Sequence, residues 1–263
     1  MTWKVLWQQD CPGQIETELV DGVIRVTCYT EDVPPPVARV VDGVQVLYTF
    51  REGGGGMIHD VSGVGAPLEL IVESEAATTW LPDGGLSVNS PTVIASSDAA
   101  AKVFKMVKKS SQITVEAWIK PASPTQDGPA RIATLSSDFH HRNVHLAQAG
   151  ALYDVRLRTT ETTVDGQPSL STPPGSVTGD LTHVVYTREA SGMAKVYMNA
   201  VAVAEKDIGG DFSSWDLGYR LALANELLGS RAWLGEYHLV AIYSRALNAD
   251  EITQNYQAFP RGA

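Results

Sequence analysis

The chain repeats one pattern along most of its length: short runs rich in β-branched and aromatic residues, separated by clusters of Gly, Pro, Asn, Asp and Ser. The runs "GVQVLYTF" (43–50) and "LTHVVYTRE" (181–189) are two examples. Regularly spaced runs of this kind, with no alternating helices, indicate an all-β sandwich or barrel. The strands are predicted at residues 2–7, 22–29, 43–50, 67–72, 111–121, 131–136, 143–148, 152–160, 181–189, 194–205, 219–226 and 233–247.

Two segments have a helical pattern instead. "SDAAAKVFKMVKKS" (97–110) starts with Ser97 as a candidate N-cap. "NADEITQNYQAF" (248–259) places Asn248 and Glu251 at the spacing of a capping box. We expect both to be short helices at the periphery of a β protein.

The proline run Pro34–Pro36 is the best candidate domain boundary, because such a run favours extended polyproline geometry and cannot continue a hydrogen-bonded ladder. We therefore predict an N-terminal β extension over residues 1–36 and a main domain over residues 37–263. With 263 residues, of which 44% are hydrophobic, the chain can build one large core.

Charge and composition exclude several function classes. The net charge of −10, with no basic cluster beyond the helical "KMVKK" (105–109), argues against a nucleic-acid partner. No run approaches the roughly 18 apolar residues of a membrane span. The N-terminus lacks the pattern of a signal peptide, so we expect either that the protein is not exported by that route or that the chain is an excerpt or a mature form. Cys11 and Cys28 are either a disulfide pair or two thiols on neighbouring strands.

The glycine-rich stretch "FREGGGGMIHDVSG" (50–63) resembles a phosphate-binding loop only superficially. A Walker loop needs Lys followed by Ser or Thr, whereas Met57 and Ile58 follow the last glycine here. A dinucleotide loop must lead into a helix, and this stretch leads to another β run, "PLELIV" (67–72). Nucleotide binding is therefore not supported.

Four motifs in series resemble those of bacterial laminin-G-like (LamG) domains, which have a concanavalin A-like fold. They are "VLYTFREGGGGMIHDVSG", "SQITVEAWIKP", "LTHVVYTRE…KVYMNAVAVAE" and "WLGEYHLVAIYSRALNADEI", and together they span residues of about 40 to 259. The resemblance implies an all-β jelly-roll sandwich of two antiparallel sheets, with a binding site on the concave face or its rim loops. It also implies an extracellular or cell-surface location.

The sequence departs from the family pattern at two places. The family's Asn-Gly hairpin is Asn199-Ala200 here, so either the turn type differs or the strain of a left-handed Ala, about 1–2 kcal/mol, is tolerated. In many relatives an Asp of the closing strand helps the Asp-x-Ser-Gly loop to hold calcium, but His238 stands there. The candidate metal residues are therefore Asp60 and His238, and calcium is disfavoured because it prefers an all-oxygen shell.

The strand "LYDVRLRTT" (152–160) alternates apolar with charged residues, so one face should pack in the core and the other should be polar. If this strand lies in the concave sheet, its polar face and neighbouring residues form a groove suited to sugar hydroxyls or carboxylated glycans. The alternative is a solvated face with Asp–Arg pairs. The predicted ligand-binding residues are Glu116, Asn143, His145, Asp154, Arg156 and Arg158.

The leading prediction is a non-catalytic recognition module that binds a glycan or polysaccharide, with no cofactor. The paired carboxylates of the superfamily's glucanases are absent, and "RTTE" (158–161) matches the related lyase pattern only with an extra residue. A structural or adhesive module that binds another protein domain is the alternative, and a hydrolase or lyase is the third. Trp80 and Trp215 fall in loops, where a ring either stacks on a sugar or pins the loop.

Overall fold

The structure is a computed structural model that describes residues 14–20, 23–29 and 37–259. The chain divides into two compact units, residues 1–37 and 38–263. In the first unit, β1 (Gln14–Val20) and β2 (Val23–Tyr29) form an antiparallel pair in which Gln14 lies opposite Tyr29. The predicted strand at 2–7, the proline run and Cys11 lie outside the described residues.

The second unit is the predicted all-β sandwich of the jelly-roll type, built from two antiparallel sheets. The strands of the first sheet, in spatial order, are β13 (Leu170–Ser171), β12 (Leu152–Leu157), β11 (Arg142–Gly150), β10 (Gln126–Ser136), β17 (Arg220–Leu223), β8 (Ile94–Ser96), β5 (Leu70–Val72) and β4 (Met57–Ile58).

The second sheet contains the strand pair that resembles the family hairpin. Its strands, in spatial order, are β16 (Val201–Asp207), β15 (Met193–Met198), β14 (Thr182–Arg188), β9 (Ile113–Pro121), β18 (Gly235–Tyr243), β7 (Leu86–Val88) and β6 (Thr78–Trp80), and β3 (Val44–Tyr48) also pairs with β18.

The core lies between the sheets and is formed by alternate residues of the strands. On β12, Tyr153, Val155 and Leu157 are buried in it, as the alternating pattern predicts, and their neighbours face the other way. Among the described residues, no helix is long and apolar enough to cross a membrane.

The two helices are α1 (Ala101–Ser110) and α2 (Ala249–Gln257). The capping box of Asn248 and Glu251 is confirmed at the start of α2. The prediction of Ser97 as N-cap of α1 is wrong, because that helix starts after Ala100, which provides no side-chain cap. The backbone carbonyl of Tyr219 accepts a hydrogen bond from the Ala100 N–H instead.

The hairpin turn at Asn199-Ala200 keeps the left-handed geometry despite the missing glycine. The φ angles are +48° at Asn199 and +66° at Ala200. Asn199 anchors the turn, since its N–H donates to the His183 carbonyl and its Oδ1 accepts from the His183 N–H. The strain of Ala200 is therefore tolerated rather than avoided.

Candidate functional site

A row of side chains crosses six strands on the face of the first sheet that is turned away from the core. The register places each member opposite the next on the neighbouring strand. Five of the six lie between core residues of their own strands, and Ala95 follows the core residue Ile94, so the row points outward. From β12 to β5 the row is Arg156, His145, Thr134, Ala222, Ala95 and Ile71. We call this surface the outer face of the first sheet.

The loop after β12 covers the charged end of this face. Asp165 accepts a hydrogen bond from Arg156 Nη1 at its carboxylate, over 3.1 Å, and one from Arg142 Nη1 at its backbone carbonyl, over 3.0 Å. Arg156 also donates from Nε to Asp154 Oδ2 over 3.1 Å. These residues therefore form a largely buried ion network rather than the open groove that the sequence suggested.

His145 lies beneath this loop and is fully buried. Neither ring nitrogen makes a hydrogen bond of ordinary geometry among the described residues, and Nε2 lies 3.5 Å from Asp154 Oδ2, at the limit of hydrogen-bond distance. Burial, reinforced by the charges of Arg131 and Arg142, holds the pKa of His145 well below its usual value, and Asp154 only partly opposes this. The ring is therefore neutral at ordinary pH.

A second loop covers the middle of the outer face. Arg131 Nε donates to Glu226 Oε2 over 3.1 Å, and Ser136 donates its hydroxyl proton to Oε1 of the same carboxylate. Burial, together with the neighbouring charge of Arg142, lowers the pKa of Arg131 to about 10, and Glu226 opposes the shift. The network thus places three guanidinium groups near three carboxylates: Arg131, Arg142, Arg156, Asp154, Asp165 and Glu226.

The remaining end of the outer face is open. A groove of about 320 Å³ crosses β5, β8 and β17 there. Its apolar lining includes the row residues Ile71 and Ala95, and its polar groups are Glu73, Ser97 and Arg220. Sequence reasoning missed this groove, because β8 was not predicted and only the strand register brings Arg220 to it.

Asn143 and Arg158 lie near the network but serve a neighbouring loop. Asn143 donates from Nδ2 to the Asp216 carbonyl over 2.8 Å and accepts from the Asp216 N–H over 2.9 Å. The carbonyl of Arg158 accepts from Trp215 Nε1 over 2.7 Å. Trp80 Nε1 similarly donates to the Gly55 carbonyl over 2.9 Å, so both loop tryptophans pin loops.

Glu116 lies in the other sheet, on β9, so it does not line the same groove as the other predicted residues. It is fully buried beneath α2, where its carboxylate accepts hydrogen bonds from Arg39, His183 and Asn255. Burial alone would raise the pKa of Glu116, but the charge of Arg39 and the hydrogen bond from His183 lower it to about 2. Glu116 is a structural anion that helps to fix α2.

The candidate metal residues, Asp60 and His238, are not brought together. Asp60 accepts from the Leu47 N–H, and Leu47 lies opposite Ala241 on β18. His238 is three residues away from Ala241, about 10 Å along the strand. Its Nε2 lies 3.3 Å from Glu236 Oε2 instead.

A lysine takes the position of a cation in the Asp60 loop. Lys102 Nζ contacts Asp60 Oδ2, the carbonyl of Val64 at 2.8 Å and the hydroxyl of Ser62 at 3.5 Å. Burial acts to raise the pKa of Asp60, but the hydrogen bonds from Lys102, the Leu68 N–H and Ser62 together outweigh it and leave the pKa lowered. The described residues contain no group of three or more His, Cys, Asp or Glu that could hold a metal ion. These residues therefore do not fit a calcium ion.

The profile of the family Laminin_G_3, described as the concanavalin A-like lectin/glucanases superfamily, matches residues 95–253. The chain belongs to this superfamily. No curated protein matches the sequence.

Solved structures with the same fold include binding domains of botulinum neurotoxins. One is a structure of botulinum neurotoxin type C, whose cell entry is described as dependent on interaction with two ganglioside molecules (12% identity, TM-score 0.60). Another is the binding domain of botulinum neurotoxin DC in complex with rat synaptotagmin II (10% identity, TM-score 0.59). Each match covers 83% of the present chain and 52% of the neurotoxin chain. The present chain therefore spans about half the length of these structures. At this identity the likeness shows the fold.

Proposed function

We propose that the protein is a non-catalytic recognition module that binds carbohydrate on the outer face of the first sheet, in the groove across β5, β8 and β17. The observation that carries the proposal is the composition of this groove. It combines an apolar surface from Ile71 and Leu227, which lie beside the buried Val93 and Ala95, with the charged side chains of Glu73 and Arg220.

Sugars present apolar C–H faces together with hydroxyl edges, so they suit a surface that is apolar in its centre and polar at its border. Arg220 donates from Nε to the Ser96 carbonyl, which orients its guanidinium group beside the groove. Arginine and glutamate offer planar hydrogen-bonding groups for vicinal hydroxyls. Membership of a lectin-containing superfamily and the use of this fold by a toxin that interacts with gangliosides support the same class of ligand. We further propose an extracellular or cell-surface location, in keeping with the family.

The test is a glycan array of neutral and acidic oligosaccharides, followed by calorimetry on the best ligand. We expect Arg220→Ala and Glu73→Gln to weaken binding at least about tenfold, since hydrogen bonds to charged groups contribute about 1.5–3 kcal/mol each. Arg220→Lys guards against a folding defect, because it keeps the charge while removing the planar fork.

Arg51→Ala is the matched control, since Arg51 is an exposed arginine of a different surface depression, and it should leave binding unchanged. Absence of binding to every glycan, or equal affinity of all variants, contradicts the proposal. Turnover of the bound polysaccharide contradicts its non-catalytic part.

A protein-binding module is the second candidate, and the exposed apolar edge of the first sheet favours it. Met57 and Ile71 lie opposite each other on β4 and β5 and are 46% and 47% exposed. Leu228 is 71% exposed. If no glycan binds while Ile71→Asp abolishes association with a partner domain, this second function replaces the first.

A further inference from the structure

Asp165 belongs to the ion network on the outer face of the first sheet. It is held by Arg156 through its side chain and by Arg142 through its carbonyl. Its side chain is 30% exposed, whereas that of Asp154, the other carboxylate paired with Arg156, is 8% exposed. Of the two anionic partners of Arg156, Asp165 is the one at the surface.

The turn that carries Asp165 is organised mainly by its own hydrogen bonds. The Thr163 N–H donates to the Gln167 carbonyl, the Gly166 N–H donates to the Thr163 carbonyl, and the Thr163 hydroxyl donates to Asp165 Oδ1. Besides the two arginine contacts, its link to β11 is a long hydrogen bond of 3.4 Å from the Arg142 N–H to the Val164 carbonyl. The turn is therefore a preformed unit that is held over the sheet by the two arginines, while its flanks are held by hydrogen bonds from Thr162 Oγ1 to the Leu157 carbonyl and from Lys206 Nζ to the Ser169 carbonyl.

Gly166 allows this unit to lie directly against β12. Its φ is +76°, and a Cβ atom there would stand 2.8 Å from the Leu157 nitrogen. The turn thus fits closely over Arg156 and shields the interior of the network from solvent.

His145 is the second, independent sign of a site beneath the turn. It is fully buried, yet both ring nitrogens lack a hydrogen-bond partner among the described residues. Such a group is costly in a protein interior unless something supplies its partner. A neutral imidazole can donate from one nitrogen and accept at the other, which suits a sugar hydroxyl.

We propose that Arg142, Arg156 and His145 form a binding site for the carboxylate and an adjacent hydroxyl of an acidic sugar, and that Asp165 occupies this site from within the same chain. The inference rests on the proposed function, because the site lies on the same cross-strand row as the carbohydrate groove. Displacement of the turn by a uronate replaces one carboxylate with another, so the charge balance of the network is kept. Arginine suits this exchange because its fork binds carboxylates in a defined geometry.

The test compares the wild-type protein with Asp165→Asn, using a trimer of glucuronic acid and the corresponding trimer of glucose as probes in calorimetry. The substitution removes the competing charge while keeping the shape of the side chain. In the wild type the acidic trimer can bind only to the fraction of molecules in which Asp165 has left the site, and the apparent affinity is reduced to that fraction. We therefore expect Asp165→Asn to bind the acidic trimer at least about tenfold more tightly than the wild type. The affinity for the glucose trimer should not change.

Asp180→Asn is the matched control, since Asp180 is an exposed aspartate in the next connection, between β13 and β14, and it should show no gain. Adding Arg156→Ala to Asp165→Asn should abolish the gain. Thermal unfolding of each variant checks its fold, and Asp165→Ala serves as a second variant if the asparagine retains the contact with Arg156.

The inference is overturned if neither Asp165 variant gains affinity, if the gain is equal for both trimers, or if a peptide of three glutamates gains as much as the uronate. This outcome is separable from failure of the proposed function. That function is tested by the effect of Arg220 on binding to the wild-type protein, whereas this site is tested by the effect of Arg156 when Asp165 is neutral.

Discussion

Two charged clusters lie on the outer faces of the two sheets, and each is covered by a different kind of structure. The Glu116 cluster on the second sheet is covered by α2, whose Asn255 donates to the carboxylate. The His145 cluster on the first sheet is covered by a turn that has its own internal hydrogen bonds and is held over the sheet by Arg142 and Arg156. Glu116 accepts hydrogen bonds from three residues, whereas His145 has none among the described residues.

The difference separates a cover that belongs to the fold from one that can be exchanged. On the second sheet, Ile252 of α2 and the rings of Trp118 and Tyr256 add apolar packing to the polar contacts. On the first sheet, the arginines hold a partly exposed carboxylate. We therefore expect α2 to be a permanent cover of the second sheet. The turn that carries Asp165 should open from the first sheet without unfolding of the sandwich.

The largest expected effect is that of Glu116→Ala. Removing the carboxylate leaves Arg39 largely buried without its main partner, and breaking a buried ion pair costs about 3–5 kcal/mol. We expect the free energy of unfolding, measured with urea, to fall by this amount.

Two substitutions sharpen this result. Glu236→Ala, on the same sheet, should cost less than about 1 kcal/mol, because its ion pair with Lys120 is partly exposed. Asp165→Asn should also cost less than about 1 kcal/mol for the same reason. If Asp165→Asn is as destabilising as Glu116→Ala, the turn that carries Asp165 is as integral to the fold as α2, and the proposed difference between the two covers is wrong.

The second effect is a loss of stability in mild acid. His145 faces Arg131 on β10, Arg142 on its own strand, and Asp154 and Arg156 on β12, with Asp165 above. Burial and the charges of Arg131 and Arg142 hold the pKa of His145 well below 6.5, whereas the unfolded chain has the ordinary value of about 6.5. The contribution to stability is therefore fully present above about pH 6.5 and is lost as the pH falls, at up to about 1.4 kcal/mol per pH unit.

Urea unfolding between about pH 7.5 and 5 measures this loss, in a range above the ordinary pKa values of carboxylates. His145→Gln should flatten the pH dependence, and His140→Gln, which alters an exposed histidine, should not. An unchanged slope in His145→Gln contradicts the assignment of a buried neutral ring.

The smallest effect is expected from calcium. Because Lys102 already supplies a cation to Asp60, Ser62 and Val64, neither added calcium nor a chelator should shift the melting temperature. A ligand that binds the native state raises stability with concentration, so a calcium-dependent rise that Asp60→Asn abolishes contradicts this conclusion.

The fold was largely predictable because alternation and turn residues are local signals. The apolar face of β12 and the capping box of α2 were read from residues close together in the sequence. Short strands such as β8 were missed, since three residues carry too little pattern. Ser97 was wrongly assigned as a cap because helix starts depend on the surrounding packing as well as on residue type.

The site was less predictable for a physical reason. Alternation correctly put Asp154 and Arg156 on the face opposite the core, but Glu116 proved to lie in the other sheet, which only long-range pairing decides. That Asp165 covers the network, and that Arg220 reaches the open groove, depends on loop docking and strand register. Neither leaves a periodic signal in the sequence.

Hydrogen–deuterium exchange of the wild-type protein and Asp165→Asn tests the difference between the two covers most directly. If the turn is an exchangeable occupant, the amide of Arg142, which donates to the Val164 carbonyl of the turn, exchanges at least about fivefold faster in the variant, as loss of about 1 kcal/mol of local stability requires. Amides of α2 then keep their wild-type rates. An equal rate for the Arg142 amide in both proteins, or acceleration of α2 together with it, contradicts the account.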